Sequence, residues 1–251
     1  MQDSVEIPPG TVFLGGFRSD MTGIKAGALA AHCRAGGQAF LRFDYFGHGA
    51  SSGDFRQGSI GRWLADALAV LDQLTKGPQI LVGSSMGGWI ALLVALARPE
   101  RVAALIGIAP APDFTEDLVW NRLGPEERRQ LLEQGELLHP SAYEESPVPF
   151  TRRLIEEGRG HLLLRGPIGI RCPVHLLHGM KDPDVPYETS LRLSRSLSDT
   201  EVVVELIEDG DHRLSRDQDL ARLMTALDGF TRRLRAPESP SGRSGSPDRS
   251  G

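Results

Sequence analysis

The chemistry most legible in this chain is that of a serine raised into a nucleophile. Gly83-x-Ser85-x-Gly87 lies between the apolar run 79–82 and an apolar run of helical spacing that starts near Gly88. A serine on a turn from strand to helix is forced into a tight backbone. Glycines on either side let the neighbouring elements approach without Cβ collisions. The hydroxyl is then lifted above the sheet at a helix N-terminus, where backbone N–H groups favour negative charge. A serine hydroxyl is nevertheless a poor nucleophile near neutral pH. It needs a base within hydrogen-bond reach, and the base needs an orienting group.

Histidine is the expected base, because its pKa lies near neutrality. The chain has seven histidines. His32 falls inside a helical pattern, and His175 and His178 lie in or at the end of a strand. His139 and His161 fall in an irregular middle region. His212, in Glu208-Asp209-Gly210-Asp211-His212-Arg213-Leu214, follows the last strand, and its loop can cross the top of a sheet toward Ser85. His48 also follows a strand end, between two glycines, and is the rival. For the acid, Asp182 and Asp184 compete in His178-Gly179-Met180-Lys181-Asp182-Pro183-Asp184-Val185-Pro186. Pro183 restricts the backbone at Asp182, and the spacing His-Gly-x-x-Asp-x-x-Val-Pro favours Asp182. Asp184 remains open. A developing oxyanion needs backbone donors, and Met86, after the nucleophile, and Phe17, after Gly15-Gly16, are placed to supply them.

These residues need a frame that brings strand ends together. Apolar runs at Thr11–Leu14, 38–44, 79–83, 102–109, 171–179 and 201–207 read as strands. Helical periodicity covers 21–36, 59–76, 88–97, 186–197 and Asp217–Arg235, with pieces at 114–123 and Pro125–Gln134. Strands alternating with helices predict one mostly parallel sheet with helices on both faces. In such a sheet ligands bind beyond the carboxyl ends of the strands. The site should therefore sit just after Leu14, Gly83, Gly179 and Ile207. Residues 1–235 read as one domain with an inserted helical lid at about 113–169. Residues 236–251, rich in Pro, Ser, Gly and Arg, read as a disordered tail.

Composition narrows the function further. The chain has 251 residues, 40% hydrophobic and 24% charged, with a formal net charge of −5. That balance argues against a general nucleic-acid binder, and no apolar run is long enough to span a bilayer. Cys33 and Cys172 stand apart without a C-x-x-C pattern, so reduced thiols are expected. No metal cluster, phosphate loop or repeat is visible, and no cofactor is expected. The oligomeric state is left open.

Gly83-x-Ser85-x-Gly87, His178-Gly-x-x-Asp182-x-x-Val-Pro and Gly-Asp-His212, in that order, resemble the serine hydrolases of the α/β-hydrolase superfamily. A closer resemblance runs from about residue 13 to residue 230. Ser19-Asp20-Met21-x-Gly23-x-Lys25-Ala26, Arg42-Phe43-Asp44-Tyr45, the run from Gly77 to Trp89 and Leu177-His178-Gly179-Met180-Lys181-Asp182 carry it. They are similar to the family of mitochondrial palmitoyl-protein thioesterases that are also mycophenolic acid acyl-glucuronide esterases. The resemblance implies an α/β-hydrolase fold, cleavage of acyl thioester and ester bonds, and Ser85, Asp182 and His212 as nucleophile, acid and base. Two departures accompany it. The ten residues before the first strand are too few for the superfamily's leading antiparallel pair, so either those edge strands are missing, which is the expectation taken, or the true start lies upstream. Residues 1–9 contain no Lys or Arg, so no transit segment is read and a cytoplasmic location is expected.

The substrate is a small or acylated molecule, and the insertion would cover it. Phe114 and Trp120, with Leu118, Val119 and Leu123, could line an acyl pocket or form the buried face of a lid helix. Arg18 and Lys25, near the oxyanion loop, could meet an acidic substrate such as a glucuronide, although solvated charges are the plainer reading. Other chemistry on the same frame stays open: a C–C bond or dienelactone-type hydrolase, an acyltransferase, or a catalytically silent binding protein.

Overall fold

The computed structural model describes residues 9–140 and 147–235. The tail predicted at 236–251 lies outside the described residues, as do residues 1–8. Six strands form the main sheet: β1 Thr11–Leu14, β2 Phe40–Arg42, β3 Gln79–Ser84, β4 Val102–Ile108, β7 Val174–Gly179 and β8 Val202–Ile207. Their order is β2-β1-β3-β4-β7-β8, and every pairing is parallel. This is the mostly parallel α/β-hydrolase arrangement predicted.

The central strands are apolar on both faces because helices cover both. Val12, Leu14, Leu81 and Leu105 point into one core cluster, with Trp63 and Leu71 of α2 (Ile60–Leu74) and Trp89 and Ile90 of α3 (Met86–Ala97). Phe13, Ile80, Val82 and Ile106 point the opposite way. They meet Leu29 of α1 (Ile24–Ala35) and Leu223 and Leu227 of α7 (Asp217–Arg235). The period-two alternation of strand side chains produces this division. Helix α3 is buried from Met86 to Ala95, so its sequence is apolar all round rather than amphipathic. Ser59 caps α2 by accepting the Arg62 N–H at 3.3 Å.

The chain leaves β1 for β2 on one side of the sheet and later returns to β3 on the other. Leu14 therefore lies beside Gly83 in register. The reversal opens a crevice at the carboxyl ends of β1 and β3, where loops can meet above the sheet.

The insertion between β4 and β7 departs from the helical lid expected. It contains α4 (Pro125–Gln134) and α5 (Arg152–Gly158), but between them an antiparallel hairpin, β5 (Glu136–His139) with β6 (Val148–Thr151). The piece at 114–123 is a π turn, Thr115–Val119, followed by a 3-10 turn, Trp120–Arg122. The proline at 149 obscured the strand in the sequence. It is tolerated because a two-stranded ribbon is all edge. Helix α6 (Glu188–Ser196) completes the frame.

Candidate active site

Ser85 is the residue between β3 and α3, with φ 54° and ψ −118°. A non-glycine residue at positive φ is strained and persists only where its surroundings impose it. Here they do. A Cβ at Gly83 would lie 2.3 Å from the Gly87 carbonyl oxygen, and one at Gly87 would lie 2.1 Å from the Leu14 carbonyl oxygen. Both glycines are therefore steric necessities. Ser85 N–H donates to the Ile108 carbonyl at 2.9 Å, and the Ser85 carbonyl accepts from Gly88 and Ala111 at 2.9 and 3.1 Å. The turn is thereby pinned to the end of β4.

The loop after β8 brings His212 over this turn. His212 Nε2 lies 3.1 Å from Ser85 Oγ, and His212 Nδ1 lies 2.7 Å from Asp182 Oδ2. Since the carboxylate only accepts, Nδ1 carries the proton and Nε2 is left to accept from the serine hydroxyl. The Asp182 side chain is fully buried, and its other oxygen accepts the N–H groups of Asp184 and Val185, each at 2.9 Å. Burial opposes its ionised form. Hydrogen bonds from His178 and His212 and from the Val185 N–H outweigh that, and hold the carboxyl well below the usual carboxylate range. The loops carrying acid and base touch backbone to backbone: a Cβ at Gly179 would lie 2.3 Å from the Gly210 carbonyl oxygen.

The loop after β1 closes the other side. A Cβ at Gly16 would lie 3.5 Å from Ser85 Cβ, so the loop runs directly against the nucleophile. Phe17, Met86 and Ser85 share one cavity wall. Arg18 has φ 58°, and its backbone N–H donates to His48 Nε2 at 3.2 Å. His48 Nδ1 in turn donates to the Phe46 carbonyl at 3.2 Å. Burial pushes the His48 imidazole pKa down, so it stays a neutral strut.

Ser85 opens into a cavity of about 800 Å³. One side is apolar, formed by Phe17, Phe114, Leu118, Leu123 and Phe150. The Phe17 and Phe150 rings lie parallel, 1° apart in plane with centroids at 5.5 Å, so the hairpin stacks directly on the loop after β1. Arg18, Lys25 and Arg213 also line the cavity.

The alpha/beta hydrolase family model matches residues 11–224. The chain belongs to the alpha/beta hydrolase family. This hydrolase is 42% identical over 229 residues to the mouse "Palmitoyl-protein thioesterase ABHD10, mitochondrial", a match covering 90% of this chain and 76% of that protein. Among solved structures, a putative hydrolase from Agrobacterium vitis S4 superposes with a TM-score of 0.87 at 48% identity, covering 89% of this chain and 88% of that one. Mouse alpha/beta hydrolase domain-containing protein 10 gives 0.84 at 40% identity, covering 92% and 97%.

The cytoplasmic expectation is overturned by the palmitoyl-protein thioesterase relatives, whose names place them in mitochondria. The composition of a folded hydrolase domain does not report location, because addresses are carried by separate segments that receptors read. Trp120 also needs correction. It does not belong to the cavity wall; Arg128 and Arg159 guanidinium groups cover its ring at 5.0 and 4.9 Å from the centroid. Half-buried against the core, it follows a π turn rather than sharing a regular helix with Phe114, which takes it off the cavity wall. Arg18 and Phe114 do line the cavity. Asp184 is exposed and gives its backbone N–H to Asp182.

Two further residues support the site without belonging to the triad. His178 is fully buried, with Nδ1 2.7 Å from Ser190 Oγ and Nε2 donating to the Val185 carbonyl at 2.9 Å. Its Nε2 is also 3.3 Å from Asp182 Oδ2, so it braces the acid loop from beneath. The His-Gly-x-x-Asp spacing held the signal, since residues at the end of a strand and just past its turn must be neighbours. The other is Lys25, whose Nζ donates to the Arg213 carbonyl.

Proposed function

We propose that the chain hydrolyses ester or thioester bonds of acyl substrates through Ser85, His212 and Asp182. The observation that carries this is the continuous hydrogen-bonded line from Asp182 Oδ2 through the His212 ring to Ser85 Oγ, at 2.7 and 3.1 Å. Ser85 Oγ attacks the acyl carbonyl while its proton passes to His212 Nε2. Asp182 holds the tautomer and stabilises the imidazolium. The oxyanion faces the Phe17 and Met86 N–H groups, where positive charge is already oriented. The leaving thiol or alcohol departs with the proton from His212. Water then gives its proton to His212 and its oxygen to the acyl carbon, and Ser85 is regenerated as the acid leaves. The acyl group lies among Phe17, Phe114 and Phe150. Similarity to the palmitoyl-protein thioesterases supports acyl thioesters and esters as the substrate class, and a hydrogen-bonded triad disfavours a purely binding role.

Ser85→Ala should lower turnover of a p-nitrophenyl ester and of an acyl thioester by about four orders of magnitude or more. It should also abolish labelling by a fluorophosphonate. Labelling that survives in this variant would reject Ser85 as the nucleophile.

A further inference from the structure

We propose that Lys25 is a positioning residue for the His212 base, tying the loop that carries it to the segment that carries the oxyanion donor. This deepens the triad reading and rests on it. Lys25 Nζ donates to the carbonyl of Arg213, the residue after His212, at 2.5 Å. Lys25 lies in the first turn of α1, which the chain enters directly from the Phe17 loop. That entry is itself fixed: Met21 N–H donates to Asp44 Oδ1 and Thr22 N–H to Asp20 Oδ1, each at 2.7 Å. One ammonium thus joins the two loops that must stay in register across Ser85.

The His212 loop has other anchors, within itself and, through the Lys181 N–H donating to the Gly210 carbonyl at 2.9 Å, to the loop that carries Asp182. Asp211 Oδ1 accepts the Leu214 N–H at 2.9 Å, and Arg216 pairs with Asp209 and Asp219 at 2.7 and 2.8 Å. Lys25 holds the loop from across the cavity whose wall it shares with Ser85 and His212. A small slip of a catalytic base away from its nucleophile is costly, so a tether at the adjacent residue acts on rate more than on affinity.

The tether works against its surroundings. Burial disfavours the ammonium most, and the like-charged Arg213 adds to that. Asp211 on the same loop and Asp219 at the start of α7 oppose them without prevailing, and the Lys25 pKa falls to about 8. A charged donor makes a hydrogen bond roughly twice as strong as a neutral one. The Arg213 carbonyl is therefore held firmly below the Lys25 pKa and more weakly above it. Proton loss from Lys25 as pH rises therefore loosens the hold on the loop that carries His212.

The test is the pH dependence of kcat and kcat/KM for a p-nitrophenyl ester in wild type, Lys25→Met and Lys25→Arg. Wild-type kcat should fall on the alkaline side of about pH 8. Lys25→Met should be about ten-fold slower in kcat near neutrality, with KM changed less, and should show no further alkaline fall. Lys25→Arg, charged throughout, should also lose the alkaline fall while staying faster than Lys25→Met. Wild-type rates that stay level to about pH 9.5, or an alkaline limb unchanged in both variants, would overturn the role of Lys25. The wild-type profile decides even if Lys25→Met does not fold. Ser85→Ala, run beside them, separates the two claims: if it retains turnover the triad reading fails, and if it is dead while the Lys25 profiles match wild type, only the tether fails.

Discussion

The turn around Ser85 and the insertion between β4 and β7 both face the same cavity, yet they are built by different means. The turn is made of backbone in contact with backbone. Gly83 and Gly87 admit no Cβ, and Ser85 is locked by hydrogen bonds to β4 and to α3. The insertion is fastened by side chains. Buried Asp113, with φ 61°, accepts the N–H groups of Leu163 and Leu164 at 2.7 and 2.8 Å, joining its first residues to its last. Asp117 pairs with Arg165 and with Arg192 of α6. Backbone contacts leave few alternative residues, so the chemistry is rigidly specified. Side-chain clamps can be exchanged, so the cavity wall they hold is freer to vary.

The contrast predicts unequal responses to substitution. The largest effect after loss of Ser85 itself should come from Asp182→Asn. An amide at this position favours the wrong imidazole tautomer, and kcat should fall by about four orders of magnitude. Stability should report the same group. Its carboxyl is held below its ordinary range, so the ionised form stabilises the fold above the unfolded-state pKa of about 4 and ceases to do so as pH falls through the folded value. The thermal midpoint of wild type should therefore drop more steeply than that of Asp182→Asn on acidification below about pH 5. Equal slopes would remove Asp182 from the acid-sensitive set.

Asp113→Ala should act on the lid instead. It leaves two N–H groups near Leu163 and Leu164 without their acceptor, at about 1–3 kcal/mol each if they stay buried. The midpoint should fall by several degrees and KM for a long-chain acyl ester should rise, while kcat for a short ester changes little. A kcat loss like that of Asp182→Asn would mean that lid and triad are not separable. The smallest effect should come from Trp120→Ala, which removes two cation–π contacts worth about 0.5–1 kcal/mol each. KM should move less than about two-fold, whereas Phe114→Ala should raise it clearly. The reverse ranking would put Trp120 in the acyl pocket and Phe114 outside it.

Legibility in the sequence followed the same division. The serine turn could be read because its requirements are local: an apolar strand, glycines where Cβ atoms collide, and a helix immediately after. The order of strand-end loops carrying Asp182 and His212 could be read because a parallel sheet delivers every such loop to one edge. The hairpin β5–β6 was missed, since four-residue strands broken by proline give little periodic signal. The place of Trp120 off the cavity wall and the neutral, strut-like His48 were likewise invisible, because each depends on groups far along the chain. Arg159, which covers Trp120, and Arg18, which donates to His48, lie 39 and 30 residues away by numbering.

By itself, then, the sequence determined a parallel α/β frame, a strained serine turn and the loops able to reach it. The tertiary structure alone decided that Asp182 rather than exposed Asp184 accepts from His212, that Phe114 and Phe150 rather than Trp120 wall the cavity, and that Lys25 reaches the Arg213 carbonyl. The reason is geometric. Backbone conformation is dictated by neighbours in the chain, whereas a side chain's partner is chosen by whatever the completed fold places opposite it.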